Sequence, residues 1–144
     1  MAANELQMYV KDILGVTLPV VSDKDIEYSE SRKLISVGRT ALFEKSGISV
    51  DDNELKTSGY IVETRGNNVF LTGSDNTESN YGVLYAVYDL LYELIGLKFY
   101  TDDCMVYNDD MFVKMKSFSV KEIPHYDWRD FGAARMTQSY RRKM

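Results

Sequence analysis

Between residues 80 and 95 the apolar positions recur at helical spacing. Val83, Leu84, Val87, Leu90, Leu91, Leu94 and Ile95 fall on one wide face of a 3.6-residue wheel. Gly82, Ala86, Asp89 and Glu93 form the opposite face, and Tyr81, Tyr85, Tyr88 and Tyr92 line an edge between them. A face that wide predicts a helix buried by a sheet on one side, with further packing along the tyrosine edge. Gly96 is placed to end this helix, and residues 97–100 read as a short strand.

A second helical stripe opens the chain over residues 2–14. Ala3, Leu6, Val10, Ile13 and Leu14 share one face, and Asn4, Glu5, Met8, Lys11 and Asp12 share the other. Gly15 suits the C-terminal cap. Residues 17–21 then read as a strand, confined by Pro19 to a sheet edge or a strand start. Residues 22–31 are polar and predict a loop. A compact β-like run follows at 34–37, then a short helix at 40–45 closed by Gly47, then an acidic turn at 51–56. Residues 60–64 and 69–72 predict two strands. The connector Arg65-Gly66-Asn67-Asn68 is a strong hairpin signal, because Gly and Asn tolerate positive φ. Residues 73–79 are a polar loop, 101–110 are acidic and turn-rich, and a further strand is expected within 113–120. From Ile123 the pattern changes, with at most one short strand.

With 144 residues the chain is long enough for one domain with a real core. Its net charge is −5. The last ten residues hold Arg135, Arg141, Arg142 and Lys143 and no acid, which leaves −9 on the rest. That acidic body argues against nucleic acid as a partner, since phosphate binding needs clustered Lys and Arg. No apolar run reaches the roughly 20 residues of a membrane span. The single cysteine, Cys104, sits beside Asp103 with no cation near it in sequence, and reads as an inert thiol. One histidine, His125, and no Cys pair leave nothing to assemble a zinc site. No phosphate loop, dinucleotide fingerprint or Gly-x-Ser-x-Gly elbow is present. No cofactor is implied.

Two patterns invite a functional reading beside a plainer one. Asp51-Asp52, Asp102-Asp103 and Asp109-Asp110 are acidic pairs, and glycosidases use two carboxylates across a cleft. Adjacent acids in turn-rich segments are more often solvated turn residues. The tyrosine edge at 81, 85, 88 and 92 could stack on sugar faces or pack against a neighbouring element with its hydroxyls wet.

These segments, taken in order, resemble a known family. The opening helix with Gly15-Val16-Thr17-Leu18-Pro19-Val20 is similar to the first helix and strand of the N-terminal domain of family 67 glycoside hydrolases, the α-glucuronidases. Leu34-Ile35-Ser36-Val37-Gly38-Arg39-Thr40 is similar to its second strand. Gly59-Tyr60-Ile61-Val62-Glu63-Thr64 with Asn68-Val69-Phe70-Leu71-Thr72-Gly73 is similar to its hairpin. The most specific match is Gly82-Val83-Leu84-Tyr85-Ala86-Val87-Tyr88-Asp89-Leu90-Leu91 followed by Gly96-Leu97-Lys98-Phe99-Tyr100. The resemblance covers roughly residues 2–131. It extends to the related second-layer domain of β-N-acetylhexosaminidases and to a Bacteroides-type group that places this domain before a catalytic-type barrel. Residues 74–81 depart from the family, which has another glycine-rich turn there.

The resemblance implies an α+β domain: a mixed sheet with helices mainly on one face, related to the zincin topology but without its metal centre. It implies a non-catalytic accessory domain over residues 1–122, with 123–144 as the start of a following (β/α)8 barrel of the same polypeptide that carries the acid and base. Pro124-His125-Tyr126-Asp127-Trp128-Arg129 resembles the entry into the first barrel strand. In the hexosaminidases an arginine at that place binds sugar, so Arg129 is the candidate substrate contact, a surface or interdomain ion pair being the other reading. A stand-alone carbohydrate-binding module remains the alternative, with glycan as ligand. Export of the parent to the periplasm or cell exterior is the expected localisation.

Overall fold

The structure is a computed structural model that describes residues 1–74, 81–101, 103–108 and 115–125. Its centre is the hairpin. Strands β2 (Tyr60–Arg65) and β3 (Asn68–Gly73) pair antiparallel from Arg65↔Asn68 to Tyr60↔Gly73 around the two-residue turn Gly66-Asn67. Strand β1 (Leu34–Val37) runs parallel to β3, with Ile35 opposite Val69 and Val37 opposite Leu71. Strand β6 (Ser119–Glu122) pairs antiparallel with β2 on the far side. The mixed sheet therefore reads β1-β3-β2-β6, and the fold is α+β as expected. All six residues of β3 are buried, because strands flank it on both edges and packed elements cover both of its faces.

Two long helices cover one face. Helix α1 (Ala2–Leu14) buries Leu6, Tyr9 and Val10; helix α4 (Gly82–Ile95) buries Leu84, Val87, Leu90, Leu91, Leu94 and Ile95. They close over Val62, Val69 and Leu71 of the sheet to make the main core. Both end where the sequence places a glycine: Gly15 at φ 69° and Gly96 at φ 66° adopt the left-handed conformation, and each N–H bonds back into the last turn. The opposite face of the sheet is covered by short helix α2 (Ala41–Lys45), whose Leu42 and Phe43 pack on Phe70. Thr40 caps α2, its Oγ1 accepting from Phe43 N at 3.0 Å.

A small ribbon lies on the outer side of the helix pair. Strands β4 (Lys98–Phe99) and β5 (Met105–Val106) pair antiparallel, and the Phe99 ring sits 5.5 Å from both Tyr9 and Tyr88.

Three expectations are corrected. Residues 17–21 are not a strand but an irregular segment. Residues 52–55 form a short helix, α3 (Asp52–Leu55), rather than a turn: Asp51 Oδ1 caps it by accepting from Asn53 N at 2.9 Å, and Leu55 is fully buried. The late strand lies at 119–122 rather than within 113–120, with Phe118 N bonded to Thr64 Oγ1 just before it. On the face of α4 opposite its wide apolar one, Gly82 and Ala86 are buried as well, and Gly82 lies against Gly73 at the end of β3.

Candidate functional site

A groove of about 980 Å³ runs along the outer edge of β1. Its walls are β1 itself, the Leu18–Val21 stretch and the start of α1 at Ala3, Leu6 and Gln7. Among the described residues, three bases reach it, Arg32, Lys33 and Lys116, and one acid, Asp23. The Asp23 carboxylate is engaged: Oδ2 accepts from Ala41 N at 2.7 Å. Sugar hydrolysis by paired carboxylates needs two of them facing one cleft. Among the described residues the groove offers one, and it is engaged by the first N–H of α2.

The densest polar constellation lies at the other end of β1 and β3. Arg39 Nη2 donates to Asp52 Oδ1 at 2.5 Å and to Gly73 O at 3.3 Å, and Nε donates to the same carbonyl at 3.4 Å. Its guanidinium lies 5.4 Å from the Phe43 ring centroid. Ser74, fully buried, donates to Asp52 O at 3.5 Å. The planar guanidinium thus clamps the end of β3 to α3 through fixed hydrogen bonds. The sequence shows Arg39 within the Leu34–Thr40 run, but its partner Asp52 lies in an acidic pair that gives no sign of this engagement.

The tyrosines do not form one platform. Tyr88 packs edge-on against Tyr9 and Phe99 and donates its hydroxyl to Glu5 Oε2 at 2.8 Å. Tyr81 and Tyr85 tilt against each other at 6.5 Å. Tyr92 is 45% exposed, and Lys98 Nζ covers its ring at 5.4 Å. Packing uses Tyr88, Tyr81 and Tyr85 lie against each other, and Tyr92 is covered by Lys98.

Beside them, Asp89 has its pKa raised, first by burial and then by Glu93 and Glu122, with Lys116 opposing. The folded chain therefore holds this proton more tightly than the unfolded one. The contribution of Asp89 to stability falls as pH rises from its ordinary value of 3.8 through the raised one. Asp89→Asn is expected to unfold at a urea concentration equal to or above the parent's at pH 7, with the difference shrinking near pH 3. A variant that loses stability at pH 7 and recovers it in acid would contradict this sign.

Of the acidic pairs, Asp103 accepts from Thr101 Oγ1 at 2.7 Å, which lowers its pKa and marks it as a turn residue. Asp102, Asp109, Asp110, Trp128 and the candidate Arg129 lie outside the described residues, as does all of 126–144. Cys104 is exposed. Among the described residues no three His, Cys, Asp or Glu side chains gather as a metal site, and no helix is long and apolar enough to cross a membrane.

The geometry thus presents a closed α+β fold whose best-organised polar groups hold its own elements together. Comparison with known proteins decides the family. The model described as "Glycosyl hydrolase family 67 N-terminus" matches residues 1–90, from α1 through most of α4. The chain belongs to this family. No curated protein and no solved structure matches it. As a family 67 N-terminal domain it is part of a larger glycoside hydrolase, with a catalytic domain in the same polypeptide as its partner. The match covers the helix and hairpin segments that carry the resemblance up to Leu90, and it stops short of the β4–β5 ribbon.

Proposed function

We infer that residues 1–122 are a non-catalytic accessory domain that supports the catalytic barrel of a glycoside hydrolase. The observation that carries this reading is the family match over residues 1–90, joined to a groove in which, among the described residues, the one acid is engaged by the Ala41 N–H. Residues 123–144 then begin the barrel, and Arg129 is the sugar contact by its likeness to the hexosaminidases. The parent works in the periplasm or outside the cell, where polysaccharide is met.

The test compares the natural reading frame with and without residues 1–122. Turnover of aryl glycosides is expected only in polypeptides that include the barrel, and removing 1–122 is expected to lower that barrel's unfolding midpoint. Hydrolysis by residues 1–144 alone would overturn the reading. A barrel equally stable and active without the domain would remove the supporting role. A second reading, a carbohydrate-binding module, is favoured by the exposed rings of Tyr92 and Tyr100. Saturable glycan binding by the isolated chain, lost on Tyr92→Ala, would put it first.

A further inference from the structure

The β4–β5 ribbon has two unlike faces. Its inner face is anchored: the Phe99 ring lies 5.5 Å from the Tyr9 and Tyr88 rings, and Tyr107 packs, partly buried, against the main core. Its base is pinned to the end of α4, where Asn108 N donates to Ile95 O at 2.9 Å. Its tip turns tightly, with Tyr100 N donating to Cys104 O at 2.9 Å.

The outer side is apolar. Tyr100, Met105 and Val106 are 58%, 43% and 50% exposed. Lys98 stands opposite Val106 in the ladder, on the same face, and its Nζ lies over the exposed Tyr92 ring at the end of α4. Strands of two residues each bury too little to hold such a ribbon by themselves, and an apolar side left in water weakens it further. Tyr and Met are enriched in the cores of protein interfaces. The aliphatic Met105 and Val106 match apolar protein side chains rather than the flat, hydroxyl-rich face of a sugar. A partner is at hand in the catalytic domain of the same polypeptide. Lys116 pairs with Glu93, the neighbour of Tyr92, so the stretch leading into β6 and on to residue 123 is held at the same turn of α4. A tethered partner meets its seat at high effective concentration, so a small apolar face is enough to hold it.

We propose that the face made by Tyr92, Tyr100, Met105 and Val106 is the surface on which the catalytic domain of the same polypeptide docks. Docking takes these side chains from water and clamps the ribbon between the helix pair and the catalytic domain. This inference names the contact through which support is given, and it rests on the accessory-domain reading.

Hydroxyl-radical footprinting of the full-length polypeptide, beside residues 1–144 alone, tests it. Tyr92, Tyr100 and Met105 are expected to be oxidised roughly fivefold or more slowly in the full-length protein, as side chains in an interface core are shielded. Tyr100→Lys combined with Val106→Lys is expected to lower the catalytic domain's unfolding midpoint toward its value without residues 1–122. The same pair is expected to leave the midpoint of residues 1–144 unchanged, and Val106→Lys alone replaces it if the pair unfolds that chain. Equal oxidation in the two polypeptides would overturn the proposal. If removing residues 1–122 destabilises the catalytic domain and the substitutions do not, the accessory-domain reading stands and this docking face is overturned. If removal changes nothing, both fall. Protection of the rings in residues 1–144 by added glycan or by raised protein concentration, with none from the catalytic domain, would overturn it in favour of sugar or of a second copy.

Discussion

Leu91→Ala is expected to cost about 2–5 kcal/mol of folding stability. Leu91 is fully buried in the core formed by α1, α4 and the sheet, with Val87, Leu90 and Ile95 equally or almost equally enclosed around it. Truncation removes apolar surface from that core and leaves a void between two helices and a sheet, none of which collapses freely. The sheet is held in register by its ladders, and α4 is fixed at its end by the Gly96 cap. The upper part of the range is therefore the expected outcome. Small domains are stable by about 5–15 kcal/mol in all, so the variant should be folded but much weakened. Urea unfolding followed by far-UV circular dichroism measures the difference. A loss below about 1 kcal/mol would mean that α4 does not pack as described.

Gly73→Ala is the second large effect, and its cause is steric contact between backbones. Gly73 ends β3 where α4 begins. A Cβ there would stand 2.6 Å from Val83 N, 2.7 Å from Gly82 C and 2.8 Å from Gly82 Cα. None of these atoms belongs to a flexible side chain, so relief requires moving the start of α4 off the sheet. The same residue offers the carbonyl that Arg39 binds, and displacement would loosen that clamp too. A loss of about 1–3 kcal/mol or more is expected. Gly15→Ala provides the control. A Cβ at Gly15 meets nothing within 4 Å, so only the left-handed backbone is strained, at about 1–2 kcal/mol. A Gly73→Ala loss no greater than that of the control would show that β3 and α4 are further apart than described.

Much of this architecture was legible in the chain, and the reason is local. The stripes of α1 and α4, their glycine caps at 15 and 96, and the Gly66-Asn67 turn are each set within a few residues. Strands β1, β2 and β3 fell within a residue of their expected bounds for the same reason. Where pairing depends on distant partners, sequence pattern is weaker. β6 is short and largely exposed, and its register is fixed by β2 about 60 residues earlier, not by its own alternation. Helix α3 carried a readable signal, Asp51 with Glu54 three residues on, but the dense acids around it also describe a turn. The strand expected at 17–21 has the composition of a strand and no ladder partner.

The functional features divide in the same way. The family was readable because its motifs are runs of neighbouring residues. The Arg39–Asp52 clamp was not, since it joins the loop after β1 to the start of α3, 13 residues on. Tyr88 and Tyr92 lie on one edge of a helix, yet their surroundings differ because the Phe99 ring closes over one and not the other.

The parallel pairing of β1 with β3 has a kinetic consequence. Between these partners the chain makes α2, α3 and the whole of β2, so β1 waits on the closure of a long loop. The β2–β3 hairpin needs to close only two residues and forms on the microsecond scale. Assembly therefore runs outward from the hairpin, with β1 and β6 zipped on last at opposite edges, as slow non-local contacts require. Pulse-labelled exchange during refolding reads that sequence directly: the amides facing across the hairpin should gain protection before those that bond β1 to β3.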